Sequence, residues 1–163
     1  MDHFWAAAKK QKKNGEIKEL LRGIPLFEQL TDRELAGIER ILHERVYEPK
    51  EVIFRQDEPG IAMYIIESGS VLIEVGSDGK VLAELQEGEF FGELALLDES
   101  PRSASAIAKT ESKIFAFSQP DLFSMIERNP RLGVKIIVSL ARIIGDRLKG
   151  MNEQLHELTK DKT

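Results

Sequence analysis

The fold is decided by residues 88–105, which read GEFFGELALLDESPRSAS. Gly92 and Glu93 precede a Leu-Ala-Leu-Leu segment, and this order predicts a short helix whose unpaired backbone N–H groups face an anion. Arg102 follows downstream, and its planar guanidinium suits a phosphate bidentately. The Ser103 hydroxyl and the Glu93 carboxylate can bond to the hydroxyl groups of a sugar. The stretch therefore predicts a pocket for a phosphate joined to a ribose.

The same residues resemble the phosphate-binding cassette of the cyclic-nucleotide-binding domain family. The family pattern is Phe-Gly-Glu-Leu-Ala-Leu, a short loop, and then Pro-Arg-small-Ala-Ser or Thr, which stand here at 91–96 and 101–105. Residues 108–110, Ala-Lys-Thr, are also similar to the family, and the resemblance extends over about 24–148. A tight turn with Arg102 as a surface charge would leave the helix stub, the arginine and both serines unexplained together.

The resemblance implies that the ligand is cyclic AMP or cyclic GMP, with no resident cofactor or metal. Arg102 would pair with the cyclic phosphate, the backbone amides of residues 92–95 would surround it, and Glu93 would accept from the ribose 2′-OH. Ser103 would donate to the phosphate or the base. The expected ligand-binding residues are Phe91, Gly92, Glu93, Leu94, Ala95, Arg102, Ser103 and Ala104 in the cassette, Val71, Ile73 and Leu82 on strands, and Arg147, Leu148 and Met151 on the last helix, one of which would cap the base. Leu85 and Phe90 are further candidates for the apolar walls.

Composition describes one globular domain and excludes several functions. The 163 residues include 23 basic and 28 acidic side chains, and the net charge of -5 argues against nucleic acid as the main partner. There is no cysteine, which excludes disulfides and cysteine metal sites, and the three histidines are scattered without ligand spacing. No apolar run approaches the roughly 18 residues of a membrane-spanning helix. We expect a cytoplasmic protein that is not an enzyme.

The chain divides into an N-terminal helical segment (1–23), a β-roll with flanking helices (24–130) and a long C-terminal helix (131–163). A helix over 2–13 would carry Trp5 and the basic cluster 9–13 before Gly15 interrupts the pattern. A short amphipathic helix would then end near Gly23. Beyond it, Pro25-Leu26-Phe27 predicts one helical turn, and Thr31 with Glu34 forms a capping box for the next helix.

From Arg45 the apolar period changes to two. The β-rich runs lie at 46–48, 52–55, 63–66, 71–75, 81–85, 105–108 and 113–117, separated by turn signals such as Asp78-Gly79. About eight short strands with tight turns indicate a closed or rolled sheet. The resemblance implies an α+β fold, an antiparallel jelly-roll β-roll (double-stranded β-helix) flanked by N-terminal helices and a long C-terminal helix, and the number of strands agrees with it.

Two positions depart from the family pattern. The family usually has glycine where Gln56 stands, and an acidic residue or Asn near Ile61. Because Gln tolerates positive φ less well than Gly, a changed loop is expected beside the pocket.

The last helix follows the Asn129-Pro130 break and carries an apolar seam. Its members are Ile137, Ala141, Ile144, Leu148, Met151, Leu155 and Leu158, spaced as in a heptad repeat. In the first half, Ile136, Leu140 and Ile143 broaden the seam, which suits packing on the β-roll. In the second half only the seam is apolar, and parallel pairing with a second copy would bury it. The sequence favours a homodimer through this helix; the alternative is a monomer in which the seam folds back over the ligand.

The predicted function is a cyclic-nucleotide sensor that couples ligand binding to movement of its C-terminal helices. Related transcription factors carry a DNA-binding helix-turn-helix after the long helix, and we expect no such domain in this chain. The downstream protein partner stays open, as does the choice between a stand-alone sensor and part of a larger regulator. The alternative is a degenerate β-roll that acts as an adaptor without binding nucleotide, against which Glu93 and Arg102 are both present.

Overall fold

The structure is a computed structural model that describes residues 15–160. Residues 15–22 (α1), Asp32–Ile41 (α2), Gln119–Arg128 (α3) and Pro130–Lys160 (α4) are α-helical, and Pro25–Phe27 and Glu93–Leu96 form 3-10 helices. The strands are His43–Tyr47 (β1), Val52–Phe54 (β2), Ala62–Ser68 (β3), Val71–Val75 (β4), Lys80–Leu85 (β5), Phe90–Phe91 (β6), Ser105–Ala108 (β7) and Ser112–Ser118 (β8). The helix expected over 2–13, with Trp5 and the basic cluster 9–13, lies outside the described residues.

The strands form two antiparallel four-stranded sheets, ordered β1-β8-β3-β6 and β2-β7-β4-β5. The predicted α+β fold with an antiparallel β-roll is confirmed, as are the seven predicted β-rich runs. The exception is β6, a two-residue strand inside the cassette that the sequence pattern did not indicate. Its pairing with β3 brings the start of the cassette against the sheet, through Tyr64 opposite Phe91.

Two apolar clusters hold the fold together. One lies between the sheets and includes Ile66, Val71, Phe91 and Ile114. The other joins the outer face of β3 and β8 to the helices, and it contains most of the fully buried leucines and phenylalanines. Burial of each such side chain contributes about 1.5–3 kcal/mol, so the helices are integral to the domain.

The N-terminal half of the helical layer follows the sequence signals closely. The Thr31 side chain accepts from the Glu34 amide and the Glu34 carboxylate accepts from the Thr31 amide, which confirms the capping box. The predicted turn of helix begins at Pro25, and the helix before it ends at Gly23 as expected. Gly15 is itself helical and is the first residue of α1, and the break expected before it lies outside the described residues.

The α3–α4 pair is joined at a sharp corner. Ser118 caps α3 by accepting from the Asp121 amide, and α4 begins at Pro130, directly after the predicted break. Close packing explains Gly133, because a Cβ there would lie 2.6 Å from Cγ1 of Ile126. Beyond the corner, Leu132, Ile136 and Leu140 of α4 are buried in the helical cluster. The first half of the helix is packed, as expected, but mainly on α3 and the 3-10 helix Pro25–Phe27 rather than on the strands.

Candidate functional site

The candidate site is a cavity of about 320 Å³ at the cassette end of the β-roll. This volume falls within the usual range for small-ligand pockets. Strands β2, β4, β5 and β6, the cassette and α4 all contribute to its wall. The lining residues are Phe54, Ile73, Leu85, Phe90, Phe91, Gly92, Glu93, Leu94, Ala95, Ser100, Pro101, Arg102, Ser103, Ala104 and Arg147.

The cassette turn starts at Gly92, and only glycine fits there. Its φ is +75°, in the left-handed region, and a Cβ would lie 2.7 Å from Nη1 of Arg102. The predicted short helix is the 3-10 helix Glu93–Leu96, with Gly92 as its N-cap. The Ala95 amide donates to the Gly92 carbonyl at 3.2 Å, so this amide is already used within the turn.

Arg102 is the buried cation of the site, with 8% of its surface exposed. Nη2 donates to the Ala62 carbonyl at 2.8 Å, Nη1 donates to the Gly92 carbonyl at 3.2 Å, and the guanidinium carbon lies 4.0 Å from the centroid of the Phe54 ring. The buried Nε has no hydrogen-bond partner, and no carboxylate of residues 15–160 forms a salt bridge with Arg102. A carbonyl-bound, aromatic-stacked cation in a cavity wall is arranged for an anionic ligand.

Burial lowers the pKa of Arg102 from its ordinary value, and the neighbouring Tyr64 and the carboxylate of Glu93 oppose that effect. Desolvation disfavours the charged form, because a buried cation loses the hydration it has in water. Arginine nevertheless stays protonated in proteins. The folded domain therefore holds an incompletely compensated positive charge that a bound anion would neutralise.

Glu93 is the buried carboxylate of the site, with 2% of its surface exposed. Its partner is Arg147 of α4, which forms an ion pair with Oε1. The Arg147 guanidinium also lies 5.6 Å from the centroid of the Phe90 ring. Because Arg147 comes from the long helix and Glu93 from the cassette, this pair is a direct polar link between α4 and the cavity.

The structure brings together most of the sequence-predicted site residues. All eight cassette residues line the cavity, together with Ile73, Leu85, Phe90 and Arg147. It does not bring four others there. Val71 is fully buried in the core between the sheets, and Leu82, Leu148 and Met151 are exposed.

Strand geometry explains the misplacement of Leu82. Leu85 and Leu82 are three residues apart on β5, and alternate side chains point to opposite faces, so both cannot line one cavity. Leu82 also falls in a register shift, where Ala83 pairs with Ile73 and Val81 pairs with Glu74. On α4, Arg147 lines the cavity, whereas the next residue, Leu148, is exposed to solvent.

Sequence reasoning missed Phe54, Ser100 and Pro101 as lining residues. Ser100 and Pro101 belong to the loop between the two halves of the cassette, so their place in the motif could have indicated them. Phe54 lies on β2, far from the cassette in sequence. No local signal separates it from the other strand aromatics, since its position depends on the pairing of β2 with β7.

The two departures from the family pattern have local consequences. The positive φ of +68° belongs to Asp57, not to Gln56, so Gln56 needs no left-handed conformation. The Gln56 amide donates to Ser105 Oγ at 2.8 Å, and Gln56 Oε1 accepts from the Gly76 amide at 2.9 Å. Ile61 is exposed and supplies no polar group to Arg102. Gln56 therefore fits this turn without a left-handed conformation, and its backbone and side chain both form hydrogen bonds there.

Within residues 15–160, no group of three or more His, Asp or Glu side chains is placed to hold a metal ion. None of the helices in that range is both long enough and apolar enough to cross a bilayer.

Comparison with known proteins places the geometry in a family. The model of the cyclic nucleotide-binding domain matches residues 44–129, which is more than half of the chain. The matched range contains all eight strands except the first residue of β1, together with the whole cassette and α3.

Individual relatives agree with this match. A cyclic AMP receptor protein of Thermus thermophilus is 35% identical over 125 residues, which cover 75% of this chain and 58% of that protein. A putative potassium channel protein of Rhodopseudomonas palustris is 40% identical over 114 residues, covering 69% of this chain and 28% of that protein. The crystal structure of the Thermus thermophilus catabolite activator protein superposes with a TM-score of 0.73 at 34% identity, over 83% of this chain and 63% of that one. The chain thus spans between about a quarter and three-fifths of these two curated relatives.

Proposed function

Because this chain belongs to the cyclic nucleotide-binding domain family, we propose that it binds cyclic AMP or cyclic GMP in the cavity and passes the binding event to α4. The observation that carries the proposal is Arg102, a buried cation without a carboxylate partner among the described residues and with its Nε unbonded. A cyclic phosphate supplies the one negative charge and the acceptor oxygens that this group lacks.

The chemistry of the wall suits the rest of the nucleotide. Glu93 presents a buried carboxylate, and a ribose 2′-OH is a donor that it would accept. Ile73 and Leu85 supply apolar surface, and Phe90 carries an aromatic face at the same wall. A purine base would pack against these side chains, with Ser103 close to the phosphate or the base.

Coupling to α4 would run through Arg147. In the structure, Arg147 bonds to the same carboxylate that the ribose would use, so the nucleotide and the helix meet at Glu93. A ligand moves a helix only when it interacts differently with two positions of that helix. Contact with Glu93 and with the exposed guanidinium of Arg147 would provide such a difference, which makes the protein a sensor.

Titration calorimetry with cyclic AMP and with cyclic GMP tests the proposal. We expect saturable binding of one nucleotide per chain, with cyclic AMP bound at least as tightly as cyclic GMP. The control ligand is 5′-AMP, which keeps the base and ribose but has an open phosphate. Absence of binding of both cyclic nucleotides would reject the proposal and favour the alternative, a β-roll that acts as an adaptor through its helices.

We also infer a homodimer through α4, supported by the exposure of the distal half of that helix. Leu148, Met151, Leu155 and Leu158 are each 58–63% exposed. Four large apolar side chains on one helical stripe are an unusual surface for a monomer. A second copy of the same helix carries the same apolar stripe, so two copies could bury their stripes against each other.

The structure changes the phase of the seam in the first half of the helix. Ile137 and Ile144 pack partly against the helical core, whereas Val134, Val138 and Ala141 are exposed. The outward residues of the first half are therefore Val134, Val138 and Ala141. In steps of four and three residues they continue through Gly145, Leu148, Asn152 and Leu155, and the exposed Met151 and Leu158 lie beside this line. In the heptad, Asn152 takes the same position as Val138 and Gly145, and one polar residue there favours a single parallel register.

Small residues mark where two helices would approach most closely. A Cβ built at Gly145 meets no other atom within 4 Å, so packing within one copy does not require the glycine. Ala141 lies one turn before it on the same exposed stripe. Multi-angle light scattering over a concentration series, with and without cyclic AMP, tests the dimer, and a monomer at high micromolar concentration in both states would reject it.

A further inference from the structure

Two residues outside the cassette, Phe54 and Gly60, lie against the Arg102 guanidinium. The Phe54 ring lies 4.0 Å from the guanidinium carbon. Gly60 also lies against the group, because a Cβ there would come within 2.7 Å of Nε and 2.8 Å of the guanidinium carbon. The planar group thus contacts an aromatic ring and a glycine that has no side chain.

Neither wall of this arrangement can move easily. The Phe54 ring contacts the rings of Tyr64 and Phe91, with centroid distances of 5.6 and 5.8 Å. The loop before Gly60 is tied to the backbone of Arg102 itself, since the Asp57 amide donates to the Arg102 carbonyl and the Arg102 amide donates to the Glu58 carbonyl, both at 2.8 Å. A shift of either wall would break contacts that also hold Arg102.

Space, not backbone conformation, requires glycine at position 60. Its φ lies outside the left-handed region, so another residue could adopt the backbone. An added Cβ, however, would also lie 3.1 Å from Cβ of Ala95, so it would be crowded by a second residue. The clash would fall on Nε and the guanidinium carbon, and these atoms must move for the methyl group to fit.

We propose that Gly60 and Phe54 are positioning residues that form a slot for the Arg102 guanidinium and so determine where the ligand phosphate is held. The slot would fix the position of the planar fork of donors with which arginine bonds a phosphate. The proposal rests on the proposed function for its ligand, but the slot itself is testable without any ligand.

The binding test is a double-mutant cycle with cyclic AMP in a calorimeter. We expect Gly60→Ala to weaken binding about tenfold or more, because even a small misplacement of a charged group is costly. In an Arg102→Ala background the same change should alter the affinity less than about twofold, since no guanidinium remains to be displaced. The matched control is Gly37→Ala, where a Cβ meets nothing within 4 Å, and it should bind like wild type.

A second variant covers the outcome that Gly60→Ala fails to fold. Phe54→Leu removes the stacking face without introducing a clash, and it should weaken cyclic AMP binding about threefold to fivefold only when Arg102 is present. Equal losses with and without Arg102, for either variant, would mean that the residue acts on the fold rather than on the arginine, and would overturn the proposal.

A ligand-free measurement separates this inference from the proposed function. The Nε–H signal of Arg102 in a ¹⁵N NMR spectrum is assigned by its loss in Arg102→Ala. We expect this signal to be protected from solvent exchange in wild type and Gly37→Ala, and to be shifted or lost in Gly60→Ala. An unchanged signal in Gly60→Ala would overturn the slot. A changed signal in a protein that binds neither nucleotide would reject the proposed function and keep the slot.

Discussion

The cassette and the distal half of α4 both depart from the usual distribution of side chains, in which charged groups are exposed and apolar groups are buried. The cassette buries two charged groups, Arg102 and Glu93, almost completely. The distal helix exposes four large apolar groups instead. Buried charge and exposed apolar surface are the two arrangements that a lone folded chain normally avoids.

The comparison teaches that each region is incomplete in a different chemical sense. Arg102 lacks an anionic partner, and a small ligand of negative charge would supply one. The distal stripe lacks apolar contact, and another apolar surface of similar length would bury it. Arg147 lies between the two regions, on the helix of one and bonded to the carboxylate of the other.

The largest effect is expected on the helix side of the comparison. Leu155→Glu should raise the dimer dissociation constant at least about 100-fold, because two buried leucines are lost at about 1.5–3 kcal/mol each. Analytical ultracentrifugation measures it. Gln154→Glu adds the same charge beside the stripe and should leave the dimer intact. A dimer unaffected by Leu155→Glu would place the interface elsewhere.

On the cassette side, Arg102→Ala should weaken cyclic nucleotide binding roughly 30-fold or more, since losing one partner of a buried charge pair costs about 2–5 kcal/mol. Arg102→Lys should also bind clearly less well than wild type, because lysine keeps the charge without the planar fork. Titration calorimetry measures both. Binding at wild-type strength after Arg102→Ala would show that the cassette assignment is wrong.

Arg147→Gln should weaken cyclic AMP binding about fivefold, a smaller effect because the arginine is half-exposed and its charge is screened by solvent. The sign follows from Glu93, whose unpaired negative charge would then repel the ligand phosphate. Arg131→Gln removes the same charge at the exposed start of α4 and serves as the control. Unchanged or tighter binding would contradict this role for Arg147.

The smallest effect concerns the choice between nucleotides. If Ser103 donates to or accepts from the guanine edge, Ser103→Ala should weaken cyclic GMP about threefold more than cyclic AMP, as expected for one neutral hydrogen bond. Competition binding with both nucleotides measures the ratio. Equal losses would mean that Ser103 contacts only the phosphate.

Local signals in the sequence determined the fold class and the cassette. Alternating strands, the Asp78-Gly79 hairpin, the Thr31 capping box and the break before Pro130 are each encoded within a few residues, and the structure contains all of them. Gly92 is a further local signal, because a glycine before an apolar segment predicted the turn. The structure explains the glycine by its left-handed backbone and by its contact with Arg102.

The tertiary structure alone decided which distant residues meet. Arg147 reaches Glu93, Phe54 stacks on Arg102, and Gly60 lies against Nε of Arg102, all across long separations in sequence. Strand periodicity could exclude Leu82 once Leu85 was placed, but it could not say which of them faces the cavity. Likewise, the heptad spacing on α4 predicted a stripe, whereas only packing against the helical core decided that Val134 and Val138 face outward in place of Ile137. Side-chain spacing is a property of one element, and the face that becomes buried depends on which other elements pack against it.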